Sequence, residues 1–344
     1  MDAGLPTIDV GGWFSGTEAD RRRVAAQFDE ACRSTGFLQL VGHGVPVSLG
    51  RALKDVADGF FGLDADEKRR YEPASREVNR GYSASRTESL AYSLGATRPP
   101  DLAEAYIVGA ERYVAGDPYY EAERERSFAP NIWPERPVEF RAVASRYFAE
   151  VSALSRTLLD IAALALGVDP QVFASATDRS VETLRFNWYV RRTDEVRLES
   201  DQMGLGAHTD YGIITVLLAD PVPGLQVIGP DGQWRDVLPL EDGFVVNVGD
   251  ALAVWTNDLW TSTIHRVVPG MPGAVQRRSF AFFQDGNLDA VIECLPSCRS
   301  DERPARYPPV TLGRHLQDKL RGGRSLSPLE QAIQTTGERG GELR

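Results

Sequence analysis

The sequence predicts a mainly-β protein in which helices lead into a sandwich or jelly-roll core. Up to Gly167, apart from two short strands and the stretch from Ser75 to Pro137, the apolar residues recur at helical spacing. From Leu184 to Phe283 they fall into short runs broken by Gly, Pro, Asp and Asn, the texture of many short strands. No internal repeat or low-complexity linker separates the two parts. One domain is therefore expected over 1–344. Residues 1–180 form a helical and strand region packed on the core, 181–290 the β core, and 291–344 a C-terminal segment.

Thr7 to Val10 reads as a short strand, and Glu18 to Ser34 as an amphipathic helix with Val24, Ala25, Phe28 and Cys32 on one stripe. Gly36 to Val41 follows as a buried strand, ended by the turn-rich Gly42-His43-Gly44-Val45-Pro46. Ser48 to Phe61 reads as a second helix with Ser48 as its N-cap, and Asp64 caps a first turn of acids. From Ser75 to Pro137 no period holds, the character of binding loops. Pro137 to Gly167 forms a long helix with Tyr147, Val151, Leu154 and Leu158 on one stripe. Strands are expected at 184–190, 213–218, 225–228, 244–248, 251–255, 264–268 and 279–283. The tail beyond Gly322 is polar and loosely held by this reading.

A net charge of −11 over 344 residues argues against nucleic-acid or anionic-membrane partners, which reward basic surfaces. Three cysteines, Cys32, Cys294 and Cys298, make no disulfide framework, and the spacing of the last two suits no zinc site. Reduced thiols fit a reducing compartment. Met1 to Phe14 shows no basic start followed by an apolar stretch, and no apolar run reaches bilayer length. A cytoplasmic protein is expected, of unspecified oligomeric state.

The chemistry concentrates in Gly206-Ala207-His208-Thr209-Asp210-Tyr211, with Ile264-His265-Arg266 and Arg277-Arg278-Ser279 further on. In an extended strand, positions i and i+2 share a face, so His208 and Asp210 can converge on one ion while Thr209 turns away. His265, in its own strand-like run, can complete the face from across a sheet. Two imidazoles and a carboxylate are the facial ligand set of non-haem Fe(II), leaving open positions for substrate, co-substrate and O2. Zinc can take the same three groups, as in a hydrolase.

Alternation sends Arg277, Ser279 and Ala281 to one face, and Arg278, Phe280 and Phe282 to the other. Arg277 and Ser279 can then grip one planar carboxylate. Arg185, Asn187 and Tyr189 repeat this geometry on an earlier strand, Tyr189 and Asn187 offering further polar contacts. Substrate contacts are expected from the irregular region, at Tyr82, Arg86, Tyr92 and Tyr106, and from Phe283 near the fork.

These residues resemble the isopenicillin N synthase-like branch of the non-haem Fe(II)- and 2-oxoglutarate-dependent oxygenases, almost end to end. Gly36 to Pro46 resembles its N-terminal signature, Asn247-Val248-Gly249-Asp250 and Trp255-Thr256-Asn257 the segments before its distal His, and Tyr307 to Thr311 its closing segment. The resemblance implies a distorted double-stranded β-helix, a cupin-like jelly roll, with helices packed around it. It makes His208, Asp210 and His265 the iron ligands, and gives Arg277 and Ser279, assisted by Tyr189, the distal carboxylate of 2-oxoglutarate. His43 falls in the N-terminal signature and is no ligand. The implied reaction consumes O2 and 2-oxoglutarate, releases succinate and CO2, and hydroxylates, desaturates or cyclises a small molecule, with ascorbate a possible stimulant. Two alternatives stay open. One is an isopenicillin N synthase-type oxidase that uses O2 without 2-oxoglutarate, since the fork identifies a carboxylate site and not its occupant. The other is a metal-bound ligand sensor without turnover.

Overall fold

A computed structural model describes residues 4–75, 78–87, 99–189, 202–270 and 276–320. Strand β1 (Thr7–Asp9) and α1 (Gly11–Ser15) precede α2 (Glu18–Ser34). Helix α2 begins in a capping box: the Asp20 amide donates to Thr17 Oγ1, and the Thr17 amide to Asp20 Oδ2. Its buried stripe is the expected one, Val24, Ala25, Phe28 and Cys32 with Ala31. Then come β2 (Phe37–Val41), α3 (Val47–Phe61) and α4 (Ala65–Arg69). Pro46, not Ser48, stands at the start of α3, so Ser48 falls inside the first turn. A proline costs little there, because the first helical amides have no intrahelical acceptor.

The stretch expected to be irregular contains β3 (Gly81–Ser83), the seven-residue β4 (Ala103–Gly109) and α5 (Pro118–Glu121). Two helices, α6 (Phe140–Leu166) and α7 (Gln171–Thr177), lead into β5 (Val181–Tyr189). Strands β6 (Leu205–His208), β7 (Ile214–Ala219), β8 (Leu225–Ile228), β9 (Trp234–Val237) and β10 (Phe244–Val248) follow. Next are α8 (Asp250–Trp255), β11 (His265–Val267), β12 (Arg277–Gly286), β13 (Val291–Ile292), β14 (Val310–Thr311) and α9 (Leu312–Leu320). The run 251–255, expected as a strand, is helix α8. All six of its residues are buried, so no polar alternation marks its type. The amides of Gly249, Asp250 and Ala251 donate to the carbonyls of Ile213, Asp210 and Gly212, which anchors the helix start on the preceding loop.

The strands form a double-stranded β-helix. An eight-stranded sheet in the order β1-β2-β10-β7-β12-β5-β4-β3 faces a four-stranded sheet in the order β6-β11-β8-β9. The large sheet has two different faces. Its outer face packs on α2, α3 and α6 through Phe60, Tyr106, Phe140, Phe186, Phe280 and Phe282. Its inner face meets the small sheet through Phe37, Ala103, Tyr189, Val245, Leu205, Leu225, Val227 and Val267. Ladder register assigns each residue to a face. Ser83, Ala105, Asn187, Ser279 and Ala219 lie in one inner row, and Thr183, Phe283, Thr215, Asn247 and Phe37 in another. Among the described residues no helix is long and apolar enough to cross a membrane.

Candidate metal centre and carboxylate site

Strand β6 carries His208, and β11 pairs with it antiparallel so that His265 lies directly opposite His208. Directly opposed residues hold their Cβ atoms about 5 Å apart. The two imidazole centroids are 4.3 Å apart. Asp210 follows on the loop after β6. Its Oδ1 lies 3.7 Å from Nε2 of His208 and 3.7 Å from Nε2 of His265. All three residues are buried, and their ligating atoms lie within 4.8 Å of one another.

Every atom that does not face this centre is committed elsewhere. The Nδ1–H of His208 donates to the Gly206 carbonyl at 2.7 Å, and that of His265 to the Thr263 carbonyl at 3.1 Å. A carbonyl only accepts, so each ring is held in the tautomer whose Nε2 offers a lone pair. Asp210 Oδ2 accepts from Thr215 Oγ1 at 2.6 Å and from Asn247 Nδ2 at 2.7 Å, which leaves Oδ1 for the centre. Burial, reinforced by His265, pulls the His208 imidazole down to about 4. Burial alone would raise Asp210. The two imidazoles and the Asn247 and Thr215 hydrogen bonds outweigh it and hold that carboxyl below its ordinary range. His208 is thus a neutral imidazole and Asp210 a carboxylate near pH 7, the protonation states that a divalent cation requires of them.

Asp285 borders the same loop. A Cβ on Gly212 would come within 2.1 Å of Asp285 Oδ1, so only glycine lets the two segments meet. Burial, with the charges of Asp210 and Glu182, pushes the Asp285 carboxyl up to about 7.

The inner face also carries a cation without a hydrogen-bond partner among the described residues. Arg277, only 7% exposed, opens β12 opposite Tyr189 of β5, and its guanidinium lies over the Tyr189 ring at 4.4 Å. None of its three guanidinium nitrogens has a hydrogen-bond partner among the described residues. Gly224, at φ 142°, makes room for it: a Cβ there would lie 3.2 Å from Arg277 Cδ. Ser279, in the next inner row, is in hydrogen-bond contact with Tyr189 Oη at 3.2 Å and accepts from Asn187 Nδ2 at 3.4 Å. A buried guanidinium without acceptors is costly, and a planar carboxylate relieves it through two parallel hydrogen bonds. The donor set therefore fits an organic acid next to a divalent metal.

Of the residues expected to touch substrate, Phe283 lies on the inner face, in the row of Thr215 and Asn247. Tyr82 and Tyr106 do not. They oppose each other across β3 and β4 in the row of Phe186, on the outer face. Tyr106 is 0% exposed, packs on Phe60 and Phe140, and donates its hydroxyl to the Ile132 carbonyl. Tyr82 donates to Glu104 at 2.5 Å, itself paired with Lys68 at 2.6 Å. Both tyrosines build the core between helices and sheet, and the reason is the parity of β4. Arg86 is exposed in the turn after β3, at φ 65°. Tyr92 lies outside the described residues. The supporting residues Thr215, Asn247 and Asp285 escaped the sequence reading because strand pairing, not spacing, brings them to Asp210.

Two family models match the chain. The N-terminal model of the non-haem dioxygenases in morphine synthesis covers residues 5–136, and the 2OG-Fe(II) oxygenase superfamily covers residues 183–286. A 2-oxoglutarate-Fe(II) type oxidoreductase of Emericella nidulans is 36% identical over 92% of this chain and 88% of its own. A homoarginine-6-hydroxylase of Oryza sativa is 32% identical over 88% and 90%. The crystal structure of full-length Neurospora crassa T7H with alpha-KG superposes with a TM-score of 0.81. It is 30% identical, over 94% of this chain and 98% of that one. The chain belongs to the 2OG-Fe(II) oxygenase superfamily, as an oxidoreductase that uses Fe(II) and 2-oxoglutarate to oxidise a small molecule.

Proposed function

We propose that His208, Asp210 and His265 hold the Fe(II), and that Arg277 and Ser279, with Tyr189 and Asn187, hold the distal carboxylate of 2-oxoglutarate. The observation that carries this is the guanidinium of Arg277, which has no acceptor among the described residues and is buried on the same inner face that anchors Asp210. With iron and co-substrate bound, the site supplies O2 activation coupled to release of succinate and CO2 and to oxidation of a nearby carbon. The residues orient and shield that chemistry. Gly206 and Thr263 fix the imidazole tautomers, Asn247 and Thr215 turn one Asp210 oxygen inward, and Tyr189 roofs the guanidinium. Phe283 forms part of the substrate wall on the inner face.

Full-length T7H is also solved with alpha-KG and thymine, which supports a compact organic substrate here. The charge of −11 supports a free metabolite over nucleic acid or membrane. Residues 1–344 act as one unit in this reading. The three free, buried cysteines suit a reducing, cytoplasmic setting. The test is anaerobic loading with Fe(II), then O2 uptake and succinate release with 2-oxoglutarate and ascorbate. His208→Ala and Asp210→Ala should each abolish both signals; wild-type rates in either variant would break the ligand assignment. O2 uptake without succinate would favour an oxidase that needs no keto acid.

A further inference from the structure

The C-terminal helix touches the loop that carries Asp210, and it does so through a buried charge. Resting on Asp210 as a metal ligand, we propose that Lys319 is a positioning residue. Through Asp250 it holds the loop that presents Asp210, so docking of α9 and binding of the metal are coupled.

Helix α9 buries a narrow stripe. Leu312, Leu316 and Lys319 recur at helical spacing, with His315 beside them. Leu312 is 0% exposed, Leu316 packs partly buried against the core, and Lys319 is 2% exposed. An ammonium at the end of such a stripe loses its hydration, which is costly unless a carboxylate and further acceptors replace the water. Lys319 pairs with Asp250, and its Nζ lies 3.4 Å from Thr209 Oγ1. The Thr209 hydroxyl donates in turn to Asp250 Oδ2 at 3.0 Å.

Asp250 thus joins the helix to the loop. Its carboxylate takes Lys319 and Thr209, while its amide donates to the Asp210 carbonyl at 2.8 Å. The loop residues divide their directions. His208 and Asp210 turn their side chains to the metal centre. Thr209 and Tyr211 meet α9: the His315 Nε2–H donates to the Tyr211 carbonyl at 3.1 Å, and the Lys319 ammonium lies 5.5 Å from the centre of the Tyr211 ring. A buried ion pair adds little net stability but fixes position strongly, because either partner left alone is an uncompensated charge. A movement that swings Asp210 away from the two imidazoles must therefore break that pair or carry α9 with it. Coupling is reciprocal: the factor by which docked α9 raises metal affinity is the factor by which metal raises the docking of α9.

The full chain is tested with Co(II) as the probe. Calorimetry reads affinity, a denaturant melt reads stability, and hydrogen exchange reads the α9 amides with and without metal. In wild type, saturating Co(II) should slow exchange across residues 312–320 about tenfold, since a metal retards a local opening only when that opening lowers its affinity. K319M/D250N removes both charges and leaves Thr209 an amide oxygen to donate to. It should keep most of the wild-type stability, bind Co(II) about tenfold more weakly, and lose the metal-dependent protection of α9. A pair that is only structural moves the melt alone. A double variant with wild-type Co(II) affinity therefore overturns the proposal. So does wild-type α9 exchange that is indifferent to Co(II), whatever the variants do. Asp210→Ala separates this from the ligand reading. If that variant binds Co(II) like wild type, the ligand assignment falls; if it loses Co(II) while wild-type α9 ignores the metal, only the role of Lys319 falls.

Discussion

In the proposed centre Asp210 would offer one oxygen to the metal because the other is occupied, and this can be tested in isolation. Asn247→Ala and Thr215→Val each remove one of the two hydrogen bonds, 2.7 Å and 2.6 Å, that Oδ2 accepts. A hydrogen bond to a buried charge contributes about 1.5–3 kcal/mol. Losing a group that orients a metal ligand costs about 10–100-fold in metal affinity. Each single variant should therefore weaken metal binding about tenfold or more. The double variant should lose less than the product, because both donors serve one oxygen. Both bonds also hold the Asp210 carboxyl low, so the loss should grow as pH falls and protons compete for the freed oxygen. Calorimetric titration with Co(II), which resists oxidation in air, measures the affinity, and a urea melt of the metal-free protein checks the fold. A variant that stays folded and binds Co(II) like wild type would refute the claim that these donors aim the carboxylate.

Arg277→Ala should raise the half-saturating 2-oxoglutarate about a hundredfold, the value of a bidentate charged pair, while Co(II) affinity stays within about twofold; an unchanged requirement moves the co-substrate elsewhere. Lys319→Met leaves the 1%-exposed Asp250 carboxylate without its ion-pair partner and should destabilise the protein by about 3–5 kcal/mol in a denaturant melt. Adding Asp250→Asn should restore most of that loss, and failure to do so would deny the pair its place in the fold. Asp285→Asn probes a carboxyl raised from 3.8 to about 7. Because the folded value lies above the unfolded one, ionisation opposes folding: the penalty is absent below about pH 4, grows as pH rises, and is complete above about pH 7. The metal-free variant should thus gain stability over wild type at pH 8, by at most about 4 kcal/mol, and lose that gain at acid pH; a pH-independent difference would refute it.

Local regularities were the legible part. Arg277 and Ser279 were readable as one face because strand alternation is a property of two or three neighbouring residues, whereas Asp210, expected on a strand with His208, lies on the loop beyond β6. The same rule, applied to β4, would have sent Tyr106 and Glu104 to one face and Ala103, Ala105 and Ile107 to the other. It was masked by the prolines and glycines on either side, and the tyrosines passed for loop aromatics. The run 251–255 was illegible for another reason: an element buried on every side carries no periodicity, and its type depends on the loop it caps. Thr215 sits one strand and Asn247 two strands from the fork, and only the register of β7 and β10 places them together beside Asp210.

The register also explains why the site needs more than the jelly roll. Strand β6, which carries His208, lies at the edge of the small sheet, where one side of its backbone has no sheet neighbour among the described residues. The chain closes that side from its N-terminal half. Asp101 Oδ1 accepts from the Gly206 amide at 2.8 Å, and the amides of Leu102 and Ala103 donate to the carbonyls of Met203 and Gly204. The loop beyond β6 is closed from the C-terminal side. Lys319 of α9, 2% exposed, pairs with Asp250, and Thr209 donates to the same carboxylate at 3.0 Å. His315 of the same helix lies 3.1 Å from the Tyr211 carbonyl, the hydrogen bond setting its tautomer. Thr209 and Tyr211 flank Asp210 directly, so the C-terminal helix grips the backbone on either side of the proposed carboxylate ligand. Segments more than 100 residues apart in the chain therefore meet on β6 and on the loop that follows it. The edge strand that carries His208 is kept from fraying by β11 on one side and by the polar bonds from Asp101, Leu102 and Ala103 on the other, while α9 ties down the loop beyond it.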